Sequence, residues 1–115
     1  MNPEKHLEKA EAFEFRAKKW ESEKEAPSVL EDIFDASVHY ISYAINIKYG
    51  MDLDSHAKLK RFLRDKEEFD IYNQFDIIEN LRIGSVYGSK WNGDRIKKGL
   101  KALEEIKEWI KTPGR

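Results

Sequence analysis

The 115 residues predict an all-α fold, an up-down bundle of four long helices with one additional short helix. Three observations carry this. Apolar residues recur three and four apart through nearly the whole chain, the spacing of one helix face. No segment longer than a few residues alternates apolar and polar side chains, so no strand is expected. Prolines stand only at 3, 27 and 113, where they punctuate the helical pattern.

The first helix opens at Asn2-Pro3, a cap followed by proline in the first turn. It runs to about Glu23 with Leu7, Ala10, Phe13, Ala17 and Trp20 on its apolar stripe. Phe15 lies off that stripe and is expected at the surface or against a partner. Ala26-Pro27 then breaks the chain, and Ser28-Val29-Leu30-Glu31 reads as a capping box for a second helix. That helix reaches Tyr49 and stops at Gly50, which supplies the left-handed residue. Its apolar face is wide (Val29, Leu30, Ile33, Phe34, Ala36, Tyr40, Ile41, Ala44, Ile45, Ile47), so it belongs at the centre. After the loop Met51-Asp52-Leu53-Asp54-Ser55 comes a short helix, about 56–67, carrying Leu59, Phe62 and Leu63. A fourth, about 70–87, carries Ile71, Phe75, Ile77, Ile78, Leu81 and Val86 and stops at Gly88. Trp91-Asn92-Gly93-Asp94 is turn and cap chemistry. The last helix, about 94–111, carries Ile96, Leu100, Leu103, Ile106, Trp109 and Ile110. Short connections imply antiparallel neighbours.

Charged residues make up 37% and apolar residues 40%, a balance that suits one soluble core and neither a disordered chain nor a membrane span. Lys plus Arg number 21 against 22 Asp plus Glu, so any argument for nucleic acid must rest on local clustering. The absence of cysteine excludes disulfides, thiolate-ligated zinc and thiol catalysis. No apolar h-region follows Met-Asn-Pro-Glu-Lys-His, so no signal peptide is expected and a cytoplasmic location is the default.

The chemistry concentrates in Asn80-Leu81-Arg82-Ile83-Gly84-Ser85-Val86-Tyr87-Gly88. Arg82 continues the stripe of Ile71, Phe75 and Ile78, with Ser85 and Ser89 after it. A charge on such a stripe is costly unless paired. It either pairs with Glu79 or another bundle carboxylate, with Tyr87 simply packing, or faces a ligand. Two basic clusters accompany it: Lys58, Lys60, Arg61, Arg64 and Lys66 on the short helix, and Lys90, Arg95, Lys97, Lys98 and Lys101 near the start of the last. Each is a solvated face or a phosphate surface. His6, His39 and His56 show no metal-ligand spacing, although Asp35 and Tyr43 flank His39 at helical distance. No phosphate loop or nucleophile motif occurs, so no metal or cofactor is expected.

The order of these pieces resembles the HEPN superfamily, the higher eukaryotes and prokaryotes nucleotide-binding helical domains, over about 28–111. The residues that carry the resemblance are Ala36, Tyr40 and Ala44 on a long helix ending at glycine, then Ser55-His56-Ala57-Lys58-Leu59. An arginine closely followed by tyrosine comes next, and Ala102-Leu103-x-x-Ile106-x-x-Trp109-Ile110 closes the pattern. The resemblance implies a homodimer that binds RNA or nucleotide phosphates, with a possible nucleotidyltransferase-type partner, in a toxin-antitoxin or defence pair. Active members resemble metal-independent RNases, whose motif is an arginine and, four to six residues on, a histidine. Here Arg82 matches the arginine, and Asn80 or Glu79 the upstream polar residue. Tyr87 stands where the histidine should be, and tyrosine is a poor base at neutral pH. Arg82 and Tyr87 also sit about 140° apart on a straight helix. The resemblance therefore implies a non-catalytic or weakly active domain. On this expectation Arg82 and Tyr87 are the candidate catalytic residues, and Arg82, Asn80, Ser85, Lys90, Arg95 and Lys98 the candidate phosphate- or RNA-binding residues. The competing expectations are a metal-independent RNase with a divergent site and a purely structural or protein-interaction bundle.

Overall fold

The computed structural model describes residues 2–19, 26–53, 55–87 and 94–112, the side chains of 26, 84–87 and 94 excepted. Five helices occupy them and no strand: α1 (Pro3–Lys19), α2 (Ala26–Tyr49), α3 (His56–Asp65), α4 (Phe69–Tyr87) and α5 (Asp94–Ile110). The expected end of the first helix beyond Lys19, with Trp20, lies outside the described residues, as does the turn at 91–93.

The caps follow local chemistry. The Lys5 amide donates to Asn2 Oδ1 at 2.9 Å, so Asn2 is the N-cap of α1. Ser55 caps α3 by accepting from the Lys58 amide at 3.3 Å. Gly50 closes α2 at φ +72°, its amide bonded to the Asn46 carbonyl at 2.8 Å. The start of α2 differs from expectation. The helix opens at Ala26, so Pro27 and Ser28 lie inside its first turn and Ser28 is not the cap. Proline in a first turn has its φ preset, and its missing N–H would have had no helical partner there. Pro27 opens the helix instead of breaking the chain, and Glu31 is released from a capping box for other work.

Helix α2 is the hub. It packs on all four other helices, α4 packs also on α3 and α5, and the backbone of α1 packs on α2 alone among the described residues. The core runs through Leu30, Ile33, Ile41 and Ile45 of α2, Leu59 and Leu63 of α3, Phe75 and Ile78 of α4, and Leu103 and Ile106 of α5. α5 lies very close to α2 at Gly99, where an added Cβ would come within 3.2 Å of Ile33 Cδ1. α1 and α2 run antiparallel: His6 meets His39 near one end and Arg16 meets Asp32 near the other. Phe15 projects from the outer side of α1, 71% exposed, as its place off the stripe required.

Candidate functional site

On α4, Ile71, Phe75 and Ile78 are buried, and Arg82 extends their stripe to the edge of the core. Its guanidinium is spoken for. Nε donates to Glu31 Oε2 at 2.6 Å, and the guanidinium carbon lies 4.4 Å from the centre of the Phe34 ring. The partner is thus a carboxylate of α2. Glu79 serves Lys60 instead, which reaches both Glu79 and Asp76 at 2.9 Å. Burial would lower the Lys60 pKa, but those hydrogen bonds outweigh it and hold the ammonium above its ordinary range. The surroundings of Arg82 are acidic. Asp35 lies close enough to feel both Glu31 and Arg82, and burial, with repulsion from Glu31 and Asp32, pushes its carboxyl up. A phosphate arriving at Arg82 would have to displace Glu31 and sit beside Asp35, a like-charge approach that costs free energy.

A second set of residues gathers on the other flank of α4. Asn80 and Arg82 are two positions apart, about 200° round the helix, so they face opposite ways. Asn80 lines an open groove of about 600 Å³ between α4 and α5. Gln74, Ile77 and Leu81 complete the α4 wall; Arg95, Lys98, Lys101, Ala102 and Glu105 form the α5 wall. Ile77 is 42% exposed, so the floor presents apolar surface to solvent. Asn80 Nδ2 donates to Asp76 at 3.3 Å. Lys98 and Lys101 are exposed and, among the described residues, neither meets a carboxylate. That sets them apart from Lys18, Lys60, Lys107 and Arg16, all held in ion pairs.

The structure therefore divides the expected site. Asn80, Arg95 and Lys98 share one groove, while Arg82 belongs to the α2–α4 seam. Lys90 and the side chains of Ser85 and Tyr87 lie outside the described residues. Gln74, Ile77, Leu81 and Ala102 line the groove without having been singled out; the only advance signal was Ile77, an apolar residue beside the 71/75/78 stripe. The α3 cluster is split too. Lys60 is half-buried and neutralised, Lys66 lies over the Tyr49 and Phe62 rings, and Arg61 and Arg64 are exposed beside Tyr72 and His56.

Two polar clusters were not legible as such. Glu14 is buried on α1 and accepts from Tyr40, from Lys107 at 2.8 Å and from Lys18 at 2.9 Å. Burial alone would raise its pKa; the hydrogen bonds from Lys107, Tyr40 and Lys18 prevail and lower it. Burial and the bond to Glu14 push the Tyr40 phenol up, so it is no base. The second cluster joins His39 to partners on α1 and, through His6, to the loop after α2, and not, among the described residues, to the Asp35 and Tyr43 that flank it in sequence. His39 Nδ1 meets His6 Nδ1 at 3.0 Å, His6 Nε2 meets Asp52 at 3.3 Å, and Phe13 stacks on the His39 ring. Burial, then the nearby His6 and Lys9, lower the His39 pKa to about 4. Among the described residues no group of three or more His, Asp or Glu is placed to hold a metal ion, and no helix is long and apolar enough to cross a membrane. No family model, curated protein or solved structure matches the chain.

Proposed function

We propose that this chain is a non-catalytic binder of RNA or nucleotide phosphates that acts through the α4–α5 groove. The observation that carries the reading is the pair Lys98 and Lys101, exposed and without a carboxylate partner among the described residues, on the rim of a cleft with an apolar floor and two amides. Ligand pockets commonly have this composition: mostly apolar, with a few polar groups that fix orientation. Phosphate contacts from flexible lysines add affinity through counterion release. Other parts of the reading rest on the HEPN resemblance alone: the up-down bundle of that type, a homodimer, and a nucleotidyltransferase-type partner in a toxin-antitoxin or defence pair.

Arg82 has a different part in this reading. Engaged by Glu31 and seated on Phe34, it joins α4 to α2 and holds no phosphate. The divergent RNase alternative would need Arg82 to exchange Glu31 for a phosphate. The structural or protein-interaction alternative takes its support from this ion pair and from exposed Phe15 and Ile83.

Fluorescence anisotropy with labelled RNA separates the readings. Lys98→Glu/Lys101→Glu should lower affinity by about tenfold or more, and Arg82→Ala should leave both affinity and salt slope unchanged. Wild-type protein that binds no better at low salt than a neutral control protein would defeat the proposal. A loss confined to Arg82→Ala would return the site to α4 and α2.

A further inference from the structure

Arg95, Lys98 and Lys101 succeed one another three residues apart on α5, all lining the same groove. Each step climbs about 4.5 Å, so the ladder spans about 9 Å. A stacked strand carries one phosphate per about 3.4 Å of axis, so a ladder of that length meets about three consecutive phosphates. Glu105 lies at the far end of the same wall, one turn beyond Lys101, and a carboxylate there ends the run. The cations occupy the N-terminal part of the helix and the carboxylate the C-terminal part, so the helix dipole reinforces the same polarity. Among the described residues the facing wall carries no charge: Gln74, Ile77, Asn80 and Leu81 offer aliphatic surface and amides that both donate and accept. Phosphates on one wall and an aliphatic, amide-bearing surface on the other correspond to a nucleotide strand with a base turned inward. In a duplex the bases are stacked and paired, so Ile77 and Leu81 would stay in water.

We infer that the α4–α5 groove takes a short single-stranded oligonucleotide, about three phosphates along Arg95, Lys98 and Lys101 and a base over Ile77 and Leu81. The inference rests on the phosphate-binding reading above and adds the form of the ligand. Protein–RNA recognition by exposed bases favours unpaired strands for the same reason. The ladder also fixes the salt response: about three contacts on a single strand give a slope of log affinity against log salt near about −2.

The test compares four probes on the full chain over a salt series: a short single-stranded RNA, a blunt RNA duplex of the same sequence, inorganic tripolyphosphate and poly-glutamate. Single-stranded RNA should bind most tightly, with a slope of about −2. Lys98→Glu/Lys101→Glu should weaken it by about tenfold or more. Ile77→Ser should weaken it about fivefold, the loss of apolar contact with a base, and leave tripolyphosphate binding unchanged. All these side chains are partly or fully exposed, and an unchanged far-ultraviolet circular dichroism spectrum confirms the fold of each variant. Equal affinity for duplex, tripolyphosphate and single strand, with a silent Ile77→Ser, would overturn the inference while leaving a phosphate site. Poly-glutamate binding as tightly as RNA would overturn it in favour of an acidic protein segment. Binding of none of the four would remove the phosphate reading itself.

Discussion

Arg82 shows how one contact decides a residue's part. A guanidinium on an apolar stripe has to find an anion, and Glu31 of α2 supplies it at 2.6 Å. The pair is semi-exposed, 33% at Arg82 and 44% at Glu31, so its Coulombic share is screened. Seating on Phe34 adds a cation–π contribution. Arg82→Ala should cost about 1–2 kcal/mol in urea unfolding, and Arg82→Met, which keeps the packing, roughly half of that. Stability equal to wild type in both would sink the structural account. His39 offers a pH test at the same scale. Unfolded, it takes a proton near pH 6.5; folded, only near about 4, because burial and the adjacent His6 oppose the charge. Between those values the unfolded chain binds the extra proton. Stability is therefore full above about pH 6.5 and declines as pH falls towards 4, by about 1–3 kcal/mol for a half-buried ring. Urea midpoints near pH 7 and pH 5 should converge in His39→Phe, which keeps the stack on Phe13; an undiminished difference would assign the slope to other groups.

Individual helices were legible from the chain because each is decided within a few residues. Asn2, Ser55 and Gly50 sit where cap chemistry requires them, and the 3.6-residue spacing of Leu59, Phe62 and Leu63 marks the buried side of α3. Pro27 is ambiguous in sequence because a proline before a helix and one in its first turn look alike. Side-chain partners distant along the chain were not legible. Glu31 and Arg82 are 51 residues apart and His6 and His39 are 33, so only the packing of α2 against its neighbours brings them together. The groove was half legible, since Arg95 and Lys98 follow from helical spacing while their alignment with Ile77 and Asn80 depends on how α5 lies on α4. One local strain remains at this scale. α3 ends through Glu67 at φ 59°, a left-handed conformation that costs a side chain with a Cβ. Its amide bonds the Arg64 carbonyl and the next amide the Leu63 carbonyl, so the turn is fixed. Glu67→Gly should raise stability by about 0.5–1 kcal/mol in chemical unfolding. A decrease would show that the glutamate contributes something its backbone does not reveal.

Across the whole molecule, cohesion is uneven. α2, α4 and α5 share one core with α3 against it, and each of α4 and α5 touches at least two other helices. Among the described residues α1 has a single backbone neighbour and adds polar clamps: Glu14 to Tyr40 and Lys107, Arg16 to Asp32, and His6 to His39 and Asp52. A helix whose backbone rests on α2 alone, and which the α2–α4–α5 core can lose without coming apart, is the segment that opens first. Native-state hydrogen exchange should find the α1 amides at least about tenfold less protected than those of mid-α2. Glu14→Ala should widen the gap. It strands Tyr40 and Lys107 beside a void, at a cost of about 2–3 kcal/mol, most of it falling on the docking of α1. Among the described residues the lining of the α4–α5 groove contains neither Glu14 nor its partners Tyr40, Lys18 and Lys107, so the same variant should bind any groove ligand as wild type does. Equal protection of α1 and α2 would mean that the clamps make α1 part of one cooperative unit. In that case Glu14→Ala would lower the protection of both helices together, and the two exchange profiles would fall in parallel.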